Sequence, residues 1–290
     1  MKKIALGTVQ FGLDYGVANE VGQVKSAEVQ QILFEAKKNK IDMLDTAIAY
    51  GTSEVVLGGA GIDGFRVVTK LPALPTDQSD IGRWVRDHVN SSLKRLKQET
   101  LHALLLHRAQ DLLGIGGAQL IQALRHLKSA GIVQKIGISI YDPEELNYIR
   151  NKIKIDIVQA PLSVIDRRME TGGSLDRLKD QGVEIHARSV FLQGLLLMER
   201  NKIPEQFLRW SSLWDLWHQK LRDSRVSPLE VCLAYPLALE QVDQVIVGVD
   251  SARQLQDILA ATCAVDHTLD SSFMISTDAN LINPSNWSHS

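Results

Sequence analysis

Asp45, Tyr50, Lys70 and His107 are the residues of this chain whose types and surroundings could move a proton. A tyrosine with an unperturbed pKa of about 10 is a poor acid near neutrality, but a neighbouring ammonium stabilises its phenolate and lowers that value. Lys70 can supply the ammonium, and Asp45 can neutralise Lys70, since an unpaired buried charge is costly. His107 can orient a carbonyl or share in a proton relay. Such groups protonate a carbonyl oxygen, or deprotonate an alcohol, while a hydride moves, and the hydride must be borrowed from a cofactor. Taken singly, each residue has a plainer reading. Asp45 reads as a helix N-cap, Tyr50 as a surface tyrosine, Lys70 before Leu71-Pro72 as an exposed lysine, and His107 after Leu104-Leu105-Leu106 as a core histidine.

The elements that carry these residues decide between the readings. Short β-type runs alternate with helical-period segments along the whole chain. Strands are predicted at residues 4–7, ending at Asp45, and at 65–70, 101–107, 135–139, 156–160, 183–189 and 244–249. Helices are predicted between them. One opens with Ser26 as N-cap and carries Val29, Ile32, Leu33 and Ala36 on its apolar face. One follows Ser53 and stops at Gly58-Gly59. Others cover 81–96, 118–130, Pro143 to near Arg150, 175–181, 228–239 and 253–261. Eight strands alternating with helices, with no composition break, predict an α/β fold, a single-domain (β/α)8 TIM barrel over residues 1–290. A doubly wound sheet is disfavoured, because Gly7-Thr8-Val9-Gln10-Phe11-Gly12 lacks the dinucleotide-loop spacing after the first strand. In such a barrel Asp45, Lys70 and His107 end strands two, three and four, and Tyr50 lies in the loop after strand two. All four then meet on the C-terminal face.

Two segments stand outside the repeat. Residues 190–223 form an extended segment after strand seven, whose Trp210, Trp214 and Trp217 sit at helical spacing and read as core contacts of an inserted helix. The C-terminal tail, 265–290, is polar and is expected to lie over the surface. A net charge of -2 gives no reason to expect nucleic acid or an anionic membrane as partner. Cys232 and Cys263 are widely spaced, form no metal or redox pattern, and suit a reduced compartment. The first apolar run is too short for a signal peptide and no window is long enough to span a bilayer, so the expectation is a soluble cytoplasmic protein without a bound metal.

The motifs at the strand ends resemble the aldo-keto reductase family. They are Gly7-Thr8, Asp45-Thr46-Ala47 with Tyr50-Gly51 and Ser53-Glu54, Val68-Thr69-Lys70, Leu105-Leu106-His107, Gly131 with Ile136-Gly137-Ile138-Ser139, Val158-Gln159, and Val247-Gly248 ahead of Gln254-Leu255. Each is short, but they occur in order, each at a strand end, across nearly the whole chain. The resemblance implies a catalytic tetrad of Asp45, Tyr50, Lys70 and His107, with Tyr50 as general acid reducing an aldehyde or ketone. It also implies a nicotinamide cofactor, NADP(H) first and NAD(H) second, lying across the barrel mouth. Thr8, Asp45, Ser139, Gln159, Arg188, Ser189, Phe191, Gln193, Gly248, Ser251, Arg253 and Gln254 are the expected cofactor contacts, Ser139 and Gln159 holding the carboxamide. Phe11, Tyr15, Tyr50, His107 and Arg108 are the expected substrate contacts.

The chain departs from the family pattern in ways that bear on function. Ile140 stands where an asparagine usually follows the serine, which removes one carboxamide hydrogen bond. Arg188 stands where an aromatic commonly stacks on the nicotinamide; a planar guanidinium can stack, but brings charge. In the segment that usually grips the adenosine 2′-phosphate, Arg253 is the only base and Asp250 is acidic. Arg108 and Arg188 at the mouth suggest a substrate with an anionic or sugar-derived part, unless Arg108 simply pairs with Asp111. Two other functions stay open on the residues: a cofactor-binding sensor or subunit with little turnover, and an aldolase-like barrel in which Lys70 forms a Schiff base.

Overall fold

An apolar run bounded by turn residues becomes a strand with both faces buried when helices cover one face and the barrel interior the other. In the computed structural model, which describes residues 3–149, 151–263 and 270–287, the strands are β1 (Ile4–Gly7), β2 (Met43–Asp45), β3 (Arg66–Leu71) and β4 (Leu101–Leu106). They continue with β5 (Val133–Ser139), β6 (Ile157–Pro161), β7 (Glu184–Arg188) and β8 (Gln244–Gly248). Each pairs in parallel with the next, and β8 returns to β1, so the sheet is a closed barrel. Around it run α1 (Ser26–Lys38), α2 (Ser53–Ala60), α3 (Ile81–Leu96), α4 (Gly117–Ser129), α5 (Glu145–Ile149) and α6 (Arg168–Thr171). The remainder are α7 (Ser174–Asp180), α8 (Ser211–Ser224), α9 (Pro228–Ala238), α10 (Ala252–Ala261) and α11 (Ala279–Ile282). Among the described residues no helix is long and apolar enough to cross a membrane.

The sequence pattern fails at three helix ends: Pro143, expected in the first turn of α5, lies in the turn before it, and α5 starts at Glu145. Ser26 is the first residue of α1 and not its cap; Lys25, in extended conformation, takes the cap position without a side-chain bond. Helix α2 does not stop at Gly58-Gly59 but runs on to Ala60, and Gly61, with φ of 81°, ends it. Gly58 is there for closeness: a Cβ on it would lie 2.0 Å from the Arg95 carbonyl oxygen at the end of α3. Helix α3 follows its pattern closely. Ile81, Val85, Val89 and Leu96 are buried at helical spacing, and the Asp80 carboxylate accepts the Arg83 N–H at the N-terminus.

The barrel interior is filled by Ala5, Met43, Val68, Ala103, Leu105, Ile157 and Ile246, so it is packed and not a pore. A separate apolar cluster forms beyond β7. Trp214 and Trp217 of α8 are fully buried there with Phe207, and their indole N–H groups donate to the carbonyls of Phe207 and Leu196. The inserted helix is therefore a core element, as its spacing predicts. The tail departs from expectation: Met274, Leu281 and Ile282 are buried in the same cluster, and Trp287 packs edge-on against Phe207 at 4.7 Å. Apolar residues scattered in a polar stretch found a partner surface that periodicity does not reveal. Of this tail, residues 264–269 and 288–290 lie outside the described ones, as does Arg150 near the end of α5.

Toward the N-terminal end of the barrel, Glu184 accepts hydrogen bonds from the Lys135 ammonium and from Nε2 of the fully buried His186, the latter at 2.8 Å. Burial alone would raise the Glu184 carboxyl, but the His186 and Lys135 hydrogen bonds outweigh it and bring the value down to about 2. A depressed carboxyl binds fewer protons folded than unfolded. Its contribution to stability is thus present above the ordinary value of 4.5 and disappears as pH falls through about 2. Glu184→Gln should cost about 1–2 kcal/mol in urea unfolding at pH 7, since the cluster is partly screened by solvent, with the gap to wild type closing as the pH is lowered. A variant of equal stability at pH 7 would show that the cluster contributes nothing net.

Candidate active site

The register of the barrel brings the strand ends together: Gly7 lies opposite Asp45, Asp45 opposite Val68, Lys70 opposite Leu105, and Ser139 opposite Gln159. Lys70 Nζ donates to Asp45 Oδ1 at 2.5 Å and to the Thr46 carbonyl at 2.9 Å. The Gln159 amide, reaching from β6, donates to Asp45 Oδ2 at 2.7 Å, so both carboxylate oxygens are satisfied. Lysine and aspartate side chains are 1% and 5% exposed, which makes this a buried, hydrogen-bonded pair and not a surface contact. Above it, Lys70 Nζ lies 5.1 Å from the Tyr50 ring centroid, and the Tyr50 and His107 rings meet edge to face at 5.8 Å.

The Tyr50 loop is held from beneath by short polar side chains. Thr8 Oγ1 donates to the Asp45 carbonyl at 3.0 Å, and Ser53 Oγ donates to the Thr8 carbonyl at 2.8 Å. Glu54, 2% exposed, accepts from the hydroxyls of Thr69 and Ser92, each at 2.7 Å, and from Arg95. It thereby ties α2 to β3 and α3. Gly12 allows the first loop to approach, since a Cβ there would lie 1.9 Å from the Tyr50 carbonyl oxygen. Through these contacts the Ser53-Glu54 motif acts structurally, positioning the tyrosine loop.

Electrostatics differ from the expectation at one point. Enclosure, together with the Asp45 carboxylate, holds the Tyr50 phenol above its ordinary value, with Arg188 opposing. The expected lowering by Lys70 does not prevail: burial and the Asp45 carboxylate raise the phenol, and the group that opposes them is Arg188. Burial presses Lys70 below the ordinary lysine value even beside Asp45. His107 is brought down to about 4, first by burial and then by the positive charges of Lys70 and Arg188. Near neutrality the site therefore offers a protonated phenol and a neutral imidazole.

A cavity of about 720 Å³ opens over this group, lined by Tyr50, His107, Asp45, Thr8, Ser139, Gln159, Arg188, Ser189, Phe191, Gln193, Gly248, Gln254 and Tyr15. Most of the residues singled out from sequence are thus brought to one wall. Others are not. Phe11 is fully buried in the core, where an apolar side chain in a polar loop finds its lowest free energy. Arg108 turns from the cavity to Asp111, bonding it at 2.6 Å, and to the Leu74 carbonyl. Ser251 caps α10 by accepting the Gln254 N–H, and Arg253, 79% exposed, pairs with Asp257 one helical turn on. Neither lines the cavity. Lys70, fully buried with both bonds directed to Asp45 and Thr46, does not line it either, which argues against a Schiff-base role.

The structure adds wall residues that sequence reasoning missed, Tyr141, Gln10, Glu199, Lys202 and Asp257, and brings Asp250 to the same wall. Tyr141 had a signal, since it follows β5 by two residues. The Arg188 guanidinium lies over its ring at 4.4 Å and donates to the Ile140 carbonyl at 2.8 Å. Arg168 fixes that loop from outside, donating to the Tyr141 carbonyl and to Asp142. Beyond β7, Ser189, Leu192 and Gln193 all have left-handed φ, of 59°, 49° and 55°. Such conformations cost energy in residues with side chains and cluster where a loop shapes a site. Gln193 also donates to the Tyr15 hydroxyl at 3.2 Å, joining this loop to the first one.

A closed parallel barrel whose C-terminal mouth holds a tyrosine and a histidine over a buried lysine–aspartate pair defines a class of (β/α)8 oxidoreductase. The chain belongs to the aldo-keto reductase family, whose model, described as Aldo/keto reductase family, matches residues 3–279. It is 26% identical over 286 residues to an uncharacterized oxidoreductase, YqkF, of Bacillus subtilis, covering 91% of this chain and 92% of that one. It is 23% identical over 315 residues to the NADH-specific methylglyoxal reductase of Escherichia coli, covering 90% and 93%. In fold it is similar to the holo form of an aldo-keto reductase from Bacillus halodurans, with a TM-score of 0.74, 22% identity, and coverage of 94% of this chain and 89% of that chain. Aldo-keto reductases are oxidoreductases that use nicotinamide cofactors.

Removing one partner of a buried pair leaves an uncompensated charge. Lys70→Met should lower the unfolding free energy by about 3–5 kcal/mol, and Asp45→Asn in the same chain should restore most of it. A double variant no more stable than the single one would show that the pair is not the source of the cost.

Proposed function

We propose that the protein reduces an aldehyde or ketone to the alcohol, with Tyr50 as general acid and a nicotinamide dinucleotide as the source of hydride. The observation that carries this reading is Tyr50 and His107 facing one cavity, edge to face, above the Lys70–Asp45 pair. The residues present fit such a cofactor. The cavity is large enough to take an extended ligand, Ser139 and Gln159 offer polar side chains beside the tetrad, and two buried oxygens of wall residues, Gln10 Oε1 and Asp250 Oδ1, lack a protein donor. When bound, the cofactor supplies the hydride.

The protein's part is to hold the carbonyl and deliver a proton. Neutral His107 donates a hydrogen bond to the substrate oxygen and sets its direction toward Tyr50. As negative charge develops on that oxygen, the Tyr50 hydroxyl transfers its proton, and Arg188 and Lys70 counter the phenolate that remains. Arg188 lines the cavity while Arg108 does not, so recognition of an anionic or sugar-derived carbonyl rests on Arg188. NADP(H), implied first by the resemblance, and NAD(H) both belong to this reading, and the name of the Escherichia coli relative supports keeping NAD(H). A cytoplasmic setting suits the free thiols of Cys232 and Cys263. A subunit that binds cofactor with little turnover is the second reading, favoured by Ile140, whose side chain is fully buried and offers the cavity nothing polar.

Tyr50→Phe tests the choice. Cofactor binding, followed by tryptophan fluorescence, should be retained, while turnover of simple aldehydes should fall by about 10²–10⁴-fold. Wild type that binds cofactor and turns over no aldehyde or ketone would favour the subunit reading. The pH profile gives a separate check. Because His107 takes up its proton only near pH 4, kcat/KM should stay level from neutrality downward and fall on a limb close to 4. A limb near the ordinary histidine value of 6.5 would show that His107 is not buried among cations as described.

A further inference from the structure

A second cavity, of about 460 Å³, opens on the outer side of the barrel among α4, α5, α7 and the segments that lead into β6 and β7. It shares no lining residue with the cavity over Tyr50. Its walls include Ile155 and Val183, which precede β6 and β7, whereas Tyr50 and His107 follow β2 and β4. The two cavities therefore stand toward opposite ends of the barrel. The floor of the second is apolar, with Ile149, Ile153, Leu178 and Val183 all buried. The run Lys152-Ile153-Lys154-Ile155 builds part of it by alternation: Ile153 is buried, and both lysines are exposed at the edge.

The charge around this floor is of one sign. Arg125 of α4, Lys152, Lys154 and Arg177 of α7 line the cavity, and among the described residues no carboxylate does. None of the four forms an ion pair among those residues. Asp156, next to Ile155, and Asp243 are held instead by Lys128 and Lys179, and Asp176 of α7 takes the Gln241 amide. In a chain of net charge -2 this excess is local. A cleft lined by one sign of charge over a low-dielectric floor focuses the field and concentrates counter-ions. One of the four cations is already oriented. Ser174, 1% exposed, accepts from the Arg177 guanidinium at 2.8 Å, which limits the arginine's rotamers and leaves its remaining N–H groups to an anion.

A solvated basic face needs no recess, and an inorganic ion would leave the apolar floor uncovered. We propose that this cavity binds a small organic phosphate. The four cations draw the phosphate, with Arg177 as its oriented contact, and an apolar, ring-sized body covers Ile149, Ile153, Leu178 and Val183. A guanidinium matches phosphate through paired N–H donors. The volume falls within the range of about 300–1,000 Å³ typical of small-molecule sites. Among the described residues no histidine, cysteine, tyrosine or carboxylate lines the cavity, so the site holds its ligand and does not transform it. The proposal is independent of the chemistry at the barrel mouth.

The probe is 1-naphthyl phosphate, titrated by calorimetry in low salt. The proteins are wild type, Arg177→Gln, the double variant Lys152→Gln/Lys154→Gln, and Arg188→Ala, which alters the other cavity. Wild type should bind the probe with a Kd below about 1 mM, and about tenfold more tightly than inorganic phosphate or 1-naphthol alone. Arg177→Gln and the lysine double variant should each weaken binding about fivefold or more. Arg188→Ala should leave it within about twofold. Hydrogen exchange should slow on binding across residues 151–155 and 177–183. Weakening by Arg188→Ala with no effect of the other variants assigns the ligand to the barrel mouth and overturns the proposal. Equal affinity for inorganic phosphate, the mark of general ionic attraction, overturns it too, as does an absence of binding at about 5 mM. The replaced side chains are exposed, and the lysine variant decides the matter if Arg177→Gln, which loses the Ser174 bond, fails to fold.

Discussion

The Lys70–Asp45 pair is the contact on which the mouth of this barrel depends. It joins β3 to β2 beneath the cavity floor, and Gln159 extends it across to β6. A buried charge pair of this kind is weak evidence for stability, because desolvation offsets most of the attraction. Its value lies in what it excludes. With both carboxylate oxygens occupied and the ammonium turned to Asp45 and Thr46, the ion pair admits one arrangement of three strand ends. Tyr50 and His107 are then laid over a fixed ion pair, and their protonation states follow from burial and from the charges around them. Burial and Asp45 keep the phenol protonated, and burial with two cations keeps the imidazole neutral.

The support of this pair is polar and short. Thr8, Thr46 and Ser53 hydroxyls and the Glu54 carboxylate fasten the Tyr50 loop to β1, β3 and α3. Short side chains have few rotamers, so they fix a position at little entropic cost. The wall on the other side of the mouth is made differently. There the backbone itself is bent, with Ser189, Leu192 and Gln193 in left-handed conformations, and Arg188 is clamped between the Tyr141 ring and the Ile140 carbonyl. One half of the site is held by hydrogen bonds beneath it and the other by loop shape.

Much of the fold was legible because local and global signals agree. The run ending in Asp45, the Leu101–Leu106 strand and the amphipathic α3 each carry a pattern that needs no distant partner to be read. Asp45, Tyr50, Lys70 and His107 were legible as a group, since three lie at successive strand ends and Tyr50 in the loop after the first of them, positions that a closed barrel brings together. What escaped notice depended on partners far along the chain. Phe11 lies in a polar loop yet packs in the core, Arg108 turns to Asp111, Gly58 yields to α3, and the apolar residues of the tail meet Trp214 and Trp217. Asp250 could be seen as acidic, but not that Glu28, 224 residues earlier, closes the neighbouring helix end. Pairing at that separation leaves no trace in spacing.

The cluster around Trp214 and Trp217 gives the molecule a second, separately packed nucleus, which holds the segment after β7 and the tail apart from the residues that fill the barrel. Substitutions in groups that share no partners combine almost additively. Changes at Leu192, Leu195 or Leu196, which pack in this second cluster, therefore reach the Lys70–Asp45 pair only weakly. A chain built this way can change the shape of the cavity roof by drift, while the floor with its buried ion pair stays under its own constraint.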